Sequence, residues 1–298
     1  MGDSTTTDPL TEHEHENEIE SPHHPAESPQ KQPSLGINNT PLRRYAVLSA
    51  IQLLRRIKPL TGNVVFLSNK LCVKFGHFVQ LSEASTLQFI AQHTSIPVPK
   101  VHCAFVHKDC TYILMDRIDG KMLLLDWRSR SAESKEKILQ QLKEFVTELR
   151  SLPPPGPGIS NVDGGPLFDF RFPTSNAIGP FKTIHEFHLF LRNGIQEWRS
   201  DVYPEVNRMI ALQDRPWPMP VFTHGDLSSL NILARGDTVV GIIDWETSGW
   251  FPSYWEHSMA WYVNPRNIFW QEEVEKFLES TPEDMEMEEI RLRLFGHV

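Results

Sequence analysis

The chain predicts an α+β fold of two lobes, a small sheet-rich lobe followed by a larger, mainly helical one. Three observations carry this. Between Val64 and Met115 the apolar residues group into short strand-like runs separated by turn residues. From Ser134 onward they recur at helical spacing. Between Phe222 and Tyr262 the pattern returns to a short hairpin that carries His224, Asp226, Asn231 and Asp244. A folding core does not require that density of polar chemistry.

Length alone allows about two domains or lobes for 298 residues, with room for a substantial core. No apolar run approaches the roughly 20 residues that span a bilayer. The acidic first stretch has no apolar core segment, so it predicts neither a secretory signal nor a transit peptide. A cytoplasmic protein with no membrane partner is the expectation. Met1-Gly2 with Thr6 matches a myristoylation site only in part, since Asp3 follows directly. Three cysteines, Cys72, Cys103 and Cys110, cannot form a complete disulfide framework and lack metal-ligand spacing. The net charge of -9 argues against nucleic acid as a partner and is compatible with a cationic substrate.

Residues 1–41 are rich in Glu, His, Pro, Ser and Thr and form an acidic tail expected to be disordered. His13, His15, His23 and His24 belong to it and read as solvated polar residues. The small lobe is placed at residues 42–116. It opens with an amphipathic helix from Arg44 to Lys58, on Val47, Leu48, Ile51 and Leu54, which Pro59 ends. Val64–Leu67 and Leu71–Gly76 then form a hairpin. Lys74 lies inside the second strand, where a lysine is costly unless it meets an anion. A helix from Leu81 to Thr94, with Ser82 as its cap, puts Glu83 in its first turn, nine residues after Lys74. Val101–Val106 and Thr111–Met115 are two further strands, and Asp116–Gly120 is a connector.

The larger lobe, residues 117–298, predicts helices at Ser134–Leu152, Ile184–Val202 and Val206–Leu212, and a solvated Glu-rich helix over Gln271–Leu294. Its hairpin, placed within residues 222–246, pairs Asn231–Ala234 with Val239–Ile243. A turn centred between Asp237 and Thr238 sets Asn231 opposite Asp244. A turn centred on Gly236-Asp237 shifts the partner by two residues and keeps the same face. Either way an amide oxygen and a carboxylate meet at the open end, with Asp226 just upstream. Three hard oxygen donors suit Mg²⁺ carrying phosphate oxygens. Zinc would call for His and Cys.

His224-Gly225-Asp226-Leu227 with Asn231, followed by Ile242-Ile243-Asp244-Trp245-Glu246, resembles the catalytic and metal-binding segments of the aminoglycoside phosphotransferase family. The nearest likeness is to its fungal branch, the phosphotransferase enzyme family proteins. Leu71–Gly76, the Glu83-Ala84 helix, Tyr112–Met115 and Gly249–Glu256 add to the resemblance, which covers about residues 60–265. It implies a bilobal protein-kinase-like fold and, as cofactors, ATP and Mg²⁺. Matched by position, it implies that Asp226 is the catalytic aspartate, orienting or accepting the proton of an attacking hydroxyl. Lys74 would contact the nucleotide phosphates and Glu83 would hold Lys74. Asn231 and Asp244 would hold the metal on the phosphates. His224 would support the loop. Phosphoryl transfer needs mainly positioning and charge neutralisation, which these groups can supply.

Two features depart from the pattern. No glycine-rich loop precedes Lys74, since Thr61-Gly62-Asn63 has one glycine. Nothing after Asp244 resembles a kinase activation segment. Asp126, Asp163, Asp169, Glu197, Glu246 and Glu256 are acidic candidates for a cationic acceptor. Trp245, Trp250, Trp255 and Trp261 read as core packing before they read as a ring-stacking wall. The expected function is ATP-dependent phosphotransfer to a small-molecule hydroxyl. A non-catalytic kinase-like binding or scaffold protein is the alternative, and a metal-dependent hydrolase a lesser one.

Overall fold

The computed structural model describes residues 36–57, 62–172, 177–199, 201–262 and 268–296. Most of the expected tail lies outside them. Its last residues do not behave as a tail: Ala104 N–H donates to the Ile37 carbonyl at 2.9 Å, and the Asn38 side chain donates to the His102 carbonyl at 3.1 Å. Order therefore begins before Pro41, because the backbone at 37–38 satisfies groups on a neighbouring strand.

Helix α1 (Pro41–Ile57) precedes a four-stranded antiparallel sheet formed by β1 (Val64–Phe66), β2 (Leu71–Gly76), β3 (Val101–His107) and β4 (Cys110–Asp116), in the order β1-β2-β4-β3. The alternation of side chains along β2 sorts its residues to two faces. Val73 and Phe75 pack with Val47 and Ile51 of α1 on one face. Cys72 lies in the main core with Ala84 and Leu87 of α2 (Leu81–His93) on the other. Lys74, in step with Cys72, therefore points to the α2 side. The cap of α2 is Gln80, which makes no side-chain capping bond, so the expectation for Ser82 is corrected.

The connector after β4 leads to β5 (Lys121–Met122), which joins β7 (Ile232–Arg235) and β8 (Thr238–Ile242) in a three-stranded sheet. β6 (Val221–Thr223) pairs with β9 (Gly249–Phe251). Helices α3 (Leu123–Asp126), α4 (Ala132–Ser151), α5 (Ile184–Leu191), α6 (Glu205–Gln213), α7 (Trp255–Tyr262), α8 (Ile268–Val274) and α9 (Pro282–Phe295) surround these strands. One core runs through both parts, joining Ile90 and Ile113 to Ile138, Phe222, Ile242 and Phe277. The Ile242 N–H reaches across to the Pro97 carbonyl at 2.8 Å.

Three expectations in the helical part are corrected. The helix from Ile184 stops at Leu191 rather than Val202, since Asn193 (φ 55°) and Gly194 (φ 78°) turn the chain into the left-handed region. The single C-terminal helix is two, because Thr281 and Asp284 form a capping box and Pro282 takes the first helical position. Nor is that region merely solvated: Trp270, Val274, Phe277, Met287 and Ile290 are buried, and a fully buried Glu288–Arg291 pair closes at 2.8 Å. Among the described residues, no helix is long and apolar enough to cross a membrane.

Candidate active site

The loop after β6 is fixed by buried hydrogen bonds. Gly225 has φ +82°, and a side chain there would bring Cβ to 2.6 Å from the Thr247 carbonyl oxygen, so only glycine fits. Buried Glu256, from the first turn of α7, accepts the His224 N–H at 2.6 Å and the Gly225 N–H at 3.1 Å. Burial pushes its carboxyl up to about 7, although those two N–H groups oppose the rise.

His224 is wholly buried. Its Nδ1 accepts the Asp226 N–H at 3.1 Å, and its Nε2 lies 3.0 Å from the Ile243 carbonyl. Those two bonds assign the neutral Nε2–H tautomer. Burial agrees with this and holds its pKa down, to about 4. The ring therefore clips the loop to Ile243, just beyond β8.

Asn231 turns its amide inward. Nδ2 donates to the Asp226 carbonyl at 2.9 Å and to Asp226 Oδ2 at 2.8 Å, which leaves the amide oxygen for another partner. Asp226 Oδ1 is buried and, among the described residues, has no hydrogen-bond partner. Its carboxyl is pushed up to about 6, first by burial and then by Asp244, while Arg171 and Asn231 pull the other way.

The hairpin register follows neither expectation. The turn centres on Gly236-Asp237, with Arg235 opposite Thr238, but a bulge between Leu233 and Ala234 shifts the remaining pairs by one. The Ile243 N–H thus meets the Asn231 carbonyl at 2.9 Å, and Asp244 falls one residue beyond. Asp244 has φ 67°, a left-handed conformation uncommon outside glycine, which turns its carboxylate out of the sheet.

Lys74 is 4% exposed and meets three carboxylates. Nζ lies 2.9 Å from Glu83 Oε2, 2.5 Å from Asp244 Oδ1 and 2.9 Å from Glu246 Oε2. Burial works against its charge, but the three carboxylates outweigh it and raise its pKa. Burial raises Glu83 to about 7 against the pull of Lys74. Glu83, Asp244 and Glu246 also bring carboxylate oxygens within 4.8 Å of one another, a spacing that could hold a cation. Glu246 was grouped in the sequence with acceptor candidates, whereas here it contacts Lys74.

Arg171 had no place in the sequence reading. Its Nε and Nη2 bind Asp169 at 2.6 and 2.5 Å, and Nη2 also donates to the Gly225 carbonyl at 2.5 Å. The only sequence signal is an acid and a base two residues apart in Phe168-Asp169-Phe170-Arg171-Phe172. The other acidic candidates are mostly engaged: Asp126 with Arg130, Asp169 with Arg171, Glu197 with Arg199, and Glu256 with the loop. Asp163 lies against Ser85 of α2. Trp245, Trp250 and Trp255 are buried in the core, and Trp261 stacks on His257.

The hairpin ahead of Lys74 turns through Ser68-Asn69-Lys70, with the Leu67 N–H on the Leu71 carbonyl at 2.9 Å and no glycine in the turn.

Comparison with known proteins bears on this arrangement. A partial relative, a subtelomeric hrmA-associated cluster protein of Aspergillus fumigatus, is 25% identical over 116 residues, which are 38% of this chain and 19% of that protein. A second such protein from another strain of that species is 26% identical over 106 residues, 34% of this chain and 17% of its own length. The chain thus aligns with only about a fifth of these curated relatives. Among solved structures, the aminoglycoside phosphotransferase APH(4)-Ia superposes with a TM-score of 0.53 at 14% identity, over 82% of this chain and 88% of that one. That likeness establishes the kinase-like fold. The family model described as "Phosphotransferase enzyme family" matches residues 79–287, a span that includes Glu83, Asp226, Asn231 and Asp244 and begins just after Lys74. With more than half its length matched, the chain belongs to the phosphotransferase enzyme family.

Proposed function

We propose that the protein is an ATP-dependent phosphotransferase that moves the γ-phosphoryl group to a hydroxyl of a small molecule. The observation that carries this reading is the convergence of Lys74 and Glu83 from the small lobe with Asp244, beside the Asp226–Asn231 pair. In this reading Lys74 binds nucleotide phosphate, and Glu83 keeps the ammonium aimed when its other contacts are exchanged. Asp226 orients the acceptor hydroxyl through its carboxylate. It receives the proton as the oxygen–phosphorus bond forms and the bond from the γ-phosphorus to the departing ADP breaks. Its raised pKa, about 6, suits a group that holds a proton briefly and then releases it near neutral pH.

The donor set fits a magnesium ion. Asp244 is 39% exposed at its side chain, the Asn231 amide oxygen is uncommitted by its own Nδ2 bonds, and Glu246 lies nearby. All are hard oxygen donors, and Mg²⁺ prefers one or two carboxylates plus phosphate oxygens. Bound Mg·ATP would supply the transferable phosphoryl group and neutralise charge at the phosphates. Three carboxylates around one ammonium leave an excess of negative charge, which favours recruitment of a divalent cation there. Cysteines Cys72, Cys103 and Cys110, all buried and free, agree with a reducing, cytoplasmic setting.

One observation favours a second reading. The glycine-free turn between β1 and β2 offers fewer close backbone contacts to phosphates, as in a kinase-like protein that binds without turnover. Both readings are tested by measuring Mg²⁺-dependent ATP binding, and ATP consumption against a panel of alcohols, sugars and amino-sugars, for wild type and Asp226→Ala. Wild type is expected to bind Mg·ATP and transfer phosphate, and the variant to bind without transfer. Mg·ATP binding with no turnover in either protein, whatever the acceptor, would favour the second reading. No nucleotide binding by wild type would overturn the first.

A further inference from the structure

Beside the loop that carries Asp226, three phenylalanines from two parts of the chain form a cluster, with Phe78 and Phe170 exposed and Phe168 half-buried. Phe78 follows β2 by two residues and is 64% exposed, and Phe170 is 54% exposed. The rings of Phe78 and Phe168 lie 6.5 Å apart, those of Phe78 and Phe170 5.7 Å, and those of Phe168 and Phe170 4.9 Å. Phe168 and Phe170 flank Asp169, and Phe170 adjoins Arg171, whose guanidinium is bonded to the Gly225 carbonyl. Phe78 is four residues beyond Lys74. The cluster therefore joins the strand that carries the ammonium to the segment braced against the catalytic loop.

Solvent-exposed phenylalanines in mutual contact from two separate segments cost free energy unless something covers them. Nearby charge says what. A polycationic amino-sugar needs free carboxylates, but Asp169 is taken by Arg171 and Glu256 by backbone N–H groups. Nor do the rings form a cage for one ammonium, because centroids 4.9 to 6.5 Å apart leave no space between them.

We propose that Phe78, Phe168 and Phe170 are the platform for the acceptor, and that the acceptor is an uncharged, ring-bearing alcohol or phenol. Its ring stacks on the exposed phenylalanines while its hydroxyl reaches Asp226. This deepens the phosphotransferase reading and rests on it for the role of Asp226.

The test uses the full chain and three probe classes: aromatic alcohols (2-phenylethanol and 4-hydroxybenzyl alcohol), polyols (glucose and myo-inositol), and the amino-sugar kanamycin. Ligand-observed NMR measures probe binding without nucleotide, and calorimetry measures Mg·ATP binding separately. Aromatic alcohols are expected to bind best. Phe78→Ser and Phe170→Ser should each weaken them by about three- to tenfold, the usual loss of an aromatic contact, with Mg·ATP affinity unchanged. Both positions are exposed, so the variants should fold. Leu125→Ser, at another exposed apolar residue, should change neither. Tighter binding of kanamycin or the polyols, binding of none of the probes, or aromatic binding indifferent to both serine variants would overturn the proposal. Loss of Mg·ATP binding alone, with ring-dependent probe binding intact, would instead remove the phosphotransferase reading and leave the aromatic site standing.

Discussion

The two halves of the site are held by different forces. Around Asp226 the chain is wired by directional bonds: Glu256 to two backbone N–H groups, a neutral His224 bridging loop and hairpin, and a glycine no other residue can replace. Around Lys74 the arrangement is held by charge, with one ammonium shared among Glu83, Asp244 and Glu246. Directional bonds between buried groups fix a position and fail when one partner is lost. Charge contacts exchange partners at low cost, which suits the half expected to receive a nucleotide. Changes in the first half should therefore damage the fold, and changes in the second should damage ligand binding.

The largest effect on stability is expected for Glu256→Ala, which strands two buried N–H donors at about 1–3 kcal/mol each. A thermal melt should show it, and Glu256→Gln should recover only part, because its amide nitrogen meets a donor. Lys74→Met comes next, at about 3 kcal/mol, the low end for a broken buried ion pair because Glu83 can take up a proton. Its affinity for Mg·ATP, measured by calorimetry, should fall much further than its stability. Gly225→Ala should cost about 1–3 kcal/mol in backbone strain, read from denaturant unfolding, before the contact with Thr247 is added. A Gly225→Ala protein as stable as wild type would break the contrast between the halves.

The smallest effect belongs to Asp226→Asn, and its sign depends on pH. Glu83, Asp226 and Glu256 have pKa values raised to about 7, 6 and 7 in the folded state. Each contributes stability that is full below its unfolded pKa and is lost as pH rises through the folded value. The lowered histidines His188, His224 and His257 act oppositely, losing stability as pH falls below about 6.5. The carboxyl contribution should therefore decline from about pH 4 to about pH 7, opposed by the histidines below about 6.5, and be fully lost above about 7. Asp226→Asn should flatten its lower part and be neutral or mildly stabilising at pH 8.

Much of this contrast was legible in the sequence, and unevenly so. A lysine within an apolar strand and a glutamate in the next helix stand out because burial makes both expensive. The Asp226, Asn231 and Asp244 set stands out because three polar residues crowd one hairpin. The directional half was less visible. Glu256 sits 30 residues after Asp226, and only the packing of α7 shows that its carboxylate caps a backbone loop. Arg171 lies in an irregular segment without periodicity, so nothing local separates it from a surface arginine. The bulge at Leu233/Ala234 lies within the strand pair, and the turn residues do not encode it. The α5 ending at Asn193-Gly194 was readable from the glycine and was overridden by the apolar residues beyond it.

The most direct measurement is the Mg²⁺-dependent dissociation constant for ATP in wild type, Asp244→Asn and Asp226→Asn, taken beside each protein's turnover with an acceptor. Division of labour between the halves requires that Asp244→Asn lose Mg²⁺-dependent affinity. Asp226→Asn should bind Mg·ATP as wild type does and transfer no phosphate. A wild-type protein that does not bind Mg·ATP, or an Asp226→Asn protein that loses binding as fully as Asp244→Asn, would contradict it.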